Sequence, residues 1–251
     1  MSQPKGTYGA KTDIGRVRLS NEDQASVSIN PMGEVLLVVC DGMGGANKGD
    51  YASKMALDTI KTAFSLKPKL PFFLLKTWIT SVVRKANRLI YEEAENNPIY
   101  HGMGTTMVVA LISGNHILFG NIGDSRAYIS TPEGMKQVSE DQTYVNYLVK
   151  TGKITQEESL SHPDRHVLMN ALGIYPSLSI TFYVLPYEGQ SILLCSDGLY
   201  NSVPFEDIHS LLSTDERTDQ KVNALIKEAN ENGGSDNSGV ALWEAIDDQD
   251  R

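Results

Sequence analysis

Val35-Leu36-Leu37-Val38-Val39-Cys40-Asp41-Gly42 is a continuous apolar run that ends on an acid and a glycine. A run of this length with β-branched residues reads as a strand buried on both faces, and the Asp-Gly pair reads as its exit. Ser191-Ile192-Leu193-Leu194-Cys195-Ser196-Asp197-Gly198 has the same form. Ile117-Leu118-Phe119-Gly120-Asn121-Ile122-Gly123 leads directly into Asp124, and Gly233-Gly234-Ser235-Asp236-Asn237 sets a fourth aspartate before an apolar run. A carboxylate desolvated without a partner costs on the order of several kcal/mol, so each such acid needs a cation, a hydrogen-bond network or solvent. Glycine beside it lets backbone carbonyls approach the same ligand.

Outward from these runs, residues 6–14, 24–30 and 34–41 read as strands, the last two joined by the turn Asn30-Pro31-Met32-Gly33. From Tyr51 the period becomes helical, with Ala52, Met55, Ala56, Ile60, Ala63 and Phe64 on one face and an end before Pro68. A second apolar stripe, Leu75, Trp78, Ile79, Val82, Val83, Ala86, Leu89 and Ile90, runs out at Asn96-Asn97-Pro98. Strands are expected again at 105–112, 115–122 and 125–130, at 178–185 and 190–196, and at 239–246, with helices near 204–212 and 217–231. Connections such as Ser113-Gly114 are too short for a parallel crossover, so the sheets are expected to be mainly antiparallel and the class α+β. The polar stretch 140–172, punctuated by Gly152 and His162-Pro163, reads as an excursion from the sheet core. No repeat or Gly/Ser linker divides the chain, so residues 1–251 are read as one domain.

Composition removes several function classes. The 251 residues carry 31 Asp and Glu against 22 Lys and Arg, a net charge of −9, and no dense basic cluster, which argues against a nucleic-acid surface. No run approaches the roughly 18 apolar residues of a membrane span, and the stretch Met1-Ser2-Gln3-Pro4-Lys5-Gly6 is not of signal-peptide type, so a cytoplasmic protein is expected. Cys40 and Cys195 lie in apolar runs and read as buried core thiols. A cysteine phosphatase is excluded because Ala46 and Asn201 stand where its phosphate-holding arginine would follow.

Asp41-Gly42-Met43-Gly44-Gly45-Ala46-Asn47-Lys48 could suggest a phosphate cradle. It fails as one: a dinucleotide fingerprint needs glycine at Asn47, and a P-loop needs Gly, Lys and Ser or Thr at Asn47, Lys48 and Gly49. Oxygen donors without adjacent histidine select Mg²⁺ or Mn²⁺. Two such ions sharing a carboxylate, about 3.5–4 Å apart, make a bridging water a nucleophile for in-line attack on phosphorus. Arg18, in Arg18-Leu19-Ser20-Asn21-Glu22-Asp23, supplies a fork for two phosphate oxygens.

Taken in order, Arg18 through Asp23, Asp41 through Gly45, Gly104-Thr105-Thr106, Gly123-Asp124-Ser125-Arg126-Ala127-Tyr128, Ser196-Asp197-Gly198-Leu199 and Gly234-Ser235-Asp236-Asn237 resemble a metal-dependent, type 2C (PPM-type) Ser/Thr protein phosphatase of the bacterial kind. The resemblance spans nearly the whole chain. It implies an antiparallel β-sandwich flanked on both sides by helix pairs, with metals in a cleft at one end. It further implies that Asp41 bridges two Mn²⁺ or Mg²⁺ ions, that Gly42 offers its carbonyl to one, and that Asp197 and Asp236 bind the other. Glu22 and Asp23 would act through water, Asp124 would serve a third, weaker ion beside Asp197, and Arg18 would hold the substrate phosphate.

The segment 140–172 resembles the flap of bacterial members, through Gly152-Lys153-Ile154-Thr155 and His162-Pro163-Asp164-Arg165. Ser125 and Arg126 are expected to brace the Asp124 turn, and Gly104-Thr105-Thr106 to support the site from beneath. Departures from the family pattern are Met43 and Ala46, where relatives carry histidine, Gln142, and Ser238-Gly239; neither of the last two is expected to touch a ligand. Of the histidines, His162 is singled out. The expected activity is hydrolysis of phosphoserine and phosphothreonine on phosphoproteins without a covalent intermediate, by a monomer paired with a cognate Ser/Thr kinase. The alternative is a pseudophosphatase that binds phosphoproteins.

Overall fold

In the computed structural model, residues 4–44 and 48–246 are described. The chain opens with strands β1 (Gly6–Asp13), β2 (Asp23–Ile29) and β3 (Val35–Met43), then helices α1 (Gly49–Ser65) and α2 (Phe72–Asn96). Strands β4 (Gly104–Thr105), β5 (Met107–Ser113), β6 (His116–Ile122), β7 (Arg126–Thr131) and β8 (Gly134–Gln137) follow. Short helices α3 (Tyr144–Lys150) and α4 (Gln156–Leu160) precede β9 (Thr181–Pro186) and β10 (Ser191–Cys195). Helices α5 (Asp197–Tyr200), α6 (Phe205–Leu212) and α7 (Thr218–Glu231) lead to β11 (Ser238–Ala245).

One sheet runs β1-β11-β10-β7-β8 and the other β2-β3-β5-β6-β9, with β4 paired to the end of β3. Every named pairing is antiparallel, as the short connections require. The alternation of side chains along β3 explains its unbroken apolar run. Val35, Leu37 and Val39 pack between the two sheets, whereas Leu36, Val38 and Cys40 face the α1 and α2 layer. In β10, Ile192 and Leu194 join the inter-sheet core while Leu193 and Cys195 face α6 and α7. The result is four layers, helices on sheet on sheet on helices, as the resemblance implies. α1 buries Ala52, Ala56, Ile60 and Phe64 at helical spacing, and α2 buries Leu75, Ile79, Val83, Ala86 and Ile90.

Some boundaries differ from the sequence reading. The strand expected from 105 is interrupted at Thr106: its N–H keeps the ladder bond to the Asp41 carbonyl (2.8 Å), but Asp41 N–H donates to Thr106 Oγ1 (3.0 Å) rather than to the Thr106 carbonyl. β9 starts at Thr181 rather than 178, because Leu178 and Ile180 pack onto the helical core before pairing begins. β8 and α5 were not expected.

The excursion 140–172 is held at its base by isolated bridges Thr143↔Leu168 and Thr105↔Leu172. Thr143 caps α3, and Thr155 with Glu158 forms a capping box on α4. Among the described residues, no helix is long and apolar enough to cross a membrane.

Candidate metal centre

Asp41 lies near the end of β3, which runs on to Met43 rather than turning at once. Its backbone is clamped from below: Asp41 N–H donates to Thr106 Oγ1 (3.0 Å), and its carbonyl accepts from Thr105 Oγ1 (2.9 Å) and Thr106 N–H (2.8 Å). Gly104-Thr105-Thr106 thus supports the site as expected. Gly42 is required by crowding, since a side chain there would collide with the Gly49 carbonyl and meet Glu22 O at 2.6 Å.

Asp23, the first residue of β2, stands directly opposite Asp41 in the ladder and is 1% exposed. Two carboxylates in register are unfavourable in a sheet built only for stability. Ser196 Oγ donates to Asp23 Oδ2 (2.5 Å) and accepts from Gly239 N–H (2.7 Å). A side chain at Gly239 would reach within 3.2 Å of Asp23 Oδ2. Gly239 therefore bears on Asp23 indirectly, through Ser196 and by leaving room for the buried acid, without a hydrogen bond to it. Burial first, then repulsion from Asp197 and Asp236, raises the Asp23 carboxyl to about 8, against the pull of the Ser196 hydroxyl.

Asp41, Asp124, Asp197 and Asp236 face one cleft of about 1170 Å³, together with Arg18, Glu22 and Gly42. Desolvation, followed by repulsion from Asp23 and Asp197, holds the Asp41 carboxyl well above the usual carboxylate range. Burial and then Asp197 raise Asp124 to about 7. Asp197 opens α5 and is likewise raised by burial, then by Asp236, with the His166 and Arg18 charges opposing. Arg18 Nη2 reaches Asp236 Oδ2 at 2.7 Å. All these donors are oxygens, and mutual repulsion in a desolvated cleft is what a hard divalent cation relieves. Among the described residues no three His, Cys, Asp or Glu side chains close around a single point tightly enough to hold an ion by themselves. An oxygen-only donor set of carboxylates with the Gly42 carbonyl at hand fits a hard divalent cation such as Mn²⁺ or Mg²⁺.

The pattern of the protein phosphatase 2C family matches residues 15–236. The chain belongs to that family. It is 35% identical to "Serine/threonine phosphatase stp" of Listeria innocua over 236 residues, 93% of this chain and 94% of that one. Among solved structures, serine/threonine phosphatase Stp1 from Staphylococcus aureus superposes with a TM-score of 0.90 at 32% identity, covering 98% of each chain. The catalytic domain of serine/threonine protein phosphatase PstP, solved in complex with two manganese ions, gives a TM-score of 0.84 at 32% identity, covering 96% of this chain and 99% of that one.

In this phosphatase 2C chain, Asn237 ties the Arg18 loop to the site. Its Nδ2 donates to Ile14 O and Ser20 O (2.9 Å each) and its Oδ1 accepts from Glu22 N–H (2.9 Å). Ser125, fully buried, meets Thr106 Oγ1 at 2.7 Å, and Arg126 forks onto Asp141 (2.7–3.1 Å) while stacking on Tyr200, whose hydroxyl donates to Asp124 O (3.2 Å). Both brace the Asp124 turn as expected.

Gln142 joins the same turn to the excursion: its Oε1 accepts from Gly123 N–H (3.1 Å) and Asn170 Nδ2 (2.6 Å), and its Nε2 donates to Asn121 O (3.0 Å) and Thr181 Oγ1 (3.1 Å). Gln142 thus contacts the residue before Asp124, though not Asp124 itself. His162 is a local brace, accepting from Asp164 N–H (3.1 Å) and packing edge-on to Tyr144. His166, which the sequence did not single out, lines the cleft instead. Ala46, with Gly45 and Asn47, lies outside the described residues.

Proposed function

We propose that this chain hydrolyses phosphoserine and phosphothreonine esters on proteins, with divalent ions held between Asp41, Asp197 and Asp236. The observation that carries this reading is the convergence of those aspartates, Asp124 and Arg18 on one cleft. In the proposed arrangement Asp41, with the Gly42 carbonyl, Asp197 and Asp236, would hold the two core ions, Asp41 serving both, and Glu22 and Asp23 would act through water. Asp124 with Asp197 would serve a third ion. The ions, Mn²⁺ or Mg²⁺, would neutralise charge on the phosphoryl group and supply a water nucleophile active near neutral pH.

The chain's own residues do the rest. Thr105 and Thr106 fix the Asp41 backbone, Ser196 holds Asp23 in one orientation, and Arg18 presents two guanidinium donors to nonbridging phosphate oxygens. Arg18 sits at the mouth with its side chain 55% exposed, so it can leave Asp236 for the substrate at little cost. Residues 1–251 are proposed as one catalytic domain in which 140–172 is a flap over the cleft. A cytoplasmic monomer that reverses the work of a cognate Ser/Thr kinase is the cellular setting we propose.

Mn²⁺-dependent phosphate release from a phosphothreonine peptide tests the assignment. Asp41→Ala and Asp197→Ala are expected to abolish turnover, and Asp124→Ala to weaken it with a higher metal demand. Undiminished turnover in Asp197→Ala would remove the mechanism, and binding of phosphopeptide without turnover would favour the pseudophosphatase alternative.

A further inference from the structure

The rim of the cleft has a chemistry of its own. Leu19 is 99% exposed and Val17 65% exposed, and they flank Arg18 on the loop between β1 and β2. Val167, 49% exposed, and Leu168 come from the excursion 140–172 and line the same cleft, as does Met43. Lone exposed aliphatics are ordinary on a protein surface. Several lining one cleft that also holds an arginine and four aspartates form a patch, and such patches mark contact surfaces.

The backbones beneath these side chains are anchored. The Arg18 loop is pinned by Asn237 to Ile14 O and Ser20 O, and by Arg16 N–H to Gly234 O (2.7 Å). Across the cleft, Val167 O accepts from Tyr144 N–H (2.8 Å), and Leu168 bridges to Thr143. The aliphatic groups are therefore held in water on a fixed frame, where substrate can cover them without first ordering the loop.

We propose that Val17, Leu19, Val167 and Leu168 select phosphoprotein segments carrying an aliphatic or aromatic residue next to the phosphorylated Ser or Thr, and disfavour acidic neighbours. This rests on the phosphatase reading of the same cleft. A phosphoryl group at Arg18 hangs from a backbone whose adjacent residues lie about 3.3 Å further along the chain per residue, within reach of side chains on either side of Arg18. The charge distribution points the same way. The chain carries a net −9, so an acidic neighbour held at the rim, away from the ions, meets repulsion where an apolar one gains burial.

The test compares kcat/KM on phosphothreonine peptides that differ only in the flanking residue, Leu, Ala or Asp, with Mn²⁺ present, alongside p-nitrophenyl phosphate, which has no flank. Wild type is expected to prefer Leu over Ala by about tenfold and Ala over Asp by about threefold. In Leu19→Ser and Val167→Ser the Leu-to-Ala ratio is expected to fall to about twofold, and Leu19→Met to keep it. A wild-type ratio near one, or serine variants that lose activity on every peptide by the same factor, would overturn the proposal. Failure of wild type to turn over even p-nitrophenyl phosphate would instead count against the hydrolase reading.

Discussion

Arg18 Nη2 lies 2.7 Å from Asp236 Oδ2, so the cation assigned to substrate phosphate is paired with an acid assigned to metal. The two proposed roles would be coupled through that contact, since neutralising Asp236 by a cation would free the guanidinium fork. Because the pair is solvent-exposed, its own contribution is about 0–1 kcal/mol. Arg18→Ala is expected to raise KM for p-nitrophenyl phosphate by about tenfold with a smaller change in kcat, and Arg18→Lys to fall between. Steady-state kinetics at saturating Mn²⁺ reads this, and an unchanged KM would refute the phosphate-binding role.

The buried acids predict how metal and pH act together. Asp23 at about 8 and Asp124 at about 7 are raised above the ordinary aspartate value of 3.8. Between that value and the raised ones the folded state keeps protons that the unfolded state has lost. Their contribution to stability is therefore full at low pH and is lost as pH rises toward 7 and 8. A divalent cation takes the place of those protons, so stabilisation by Mn²⁺ should be larger at pH 8 than at pH 5.5. Melting curves in chelator and in Mn²⁺ at both pH values measure it; an equal or smaller metal effect at the higher pH contradicts the prediction.

Ser196→Ala removes the hydroxyl that donates to Asp23 Oδ2 and accepts from Gly239 N–H. Leaving both buried partners unsatisfied should cost about 1–3 kcal/mol. Urea unfolding without added metal should show a lower midpoint with an unchanged slope, whereas an unmoved midpoint would mean that the Ser196 bridge contributes nothing.

Gln142→Ala removes the side-chain bonds from the excursion's base to Gly123 N–H, Asn121 O, Thr181 and Asn170, leaving the backbone bond from Gln142 N–H to Gly123 O (3.0 Å). Limited trypsin digestion should cleave after Lys153 or Arg165 several-fold faster, roughly in step with the lost local stability. Equal cleavage rates in variant and wild type would show that the backbone bonds of Gln142 and the bridges at Thr143 and Thr105 hold the segment without the Gln142 side chain.

The sheet strands were legible because burial on both faces writes an uninterrupted apolar run, as in Val35 to Cys40, and the long helices because Ala52 to Phe64 and Leu75 to Ile90 repeat at helical spacing. β8 and α5 are too short to carry a period. The break at Thr106 left no pattern either, since it arises from a contact with Asp41 distant in sequence. The acids of the cleft stood out as charges at the ends of apolar runs. Ser196 and Asn237 lay inside quoted motifs, yet their service to Asp23 and to the Arg18 loop depends on pairings that only the fold creates. His166 rather than His162 lines the cleft because the turn at 163–166 decides which imidazole faces it, and spacing does not encode that choice.

Cys40 immediately precedes Asp41 and Cys195 lies two residues before Asp197, yet both are sealed in the helix-facing cores. Burial, then the charge of neighbouring acids for Cys40, pushes its thiol up, and burial does the same for Cys195, so little of either exists as the reactive thiolate. With both thiols buried, a site proposed to work through oxygen ligands offers no exposed thiolate for an oxidant to attack. Peroxide or alkylating agents at doses that silence thiolate enzymes should leave its turnover running, so dephosphorylation here would persist through oxidative stress.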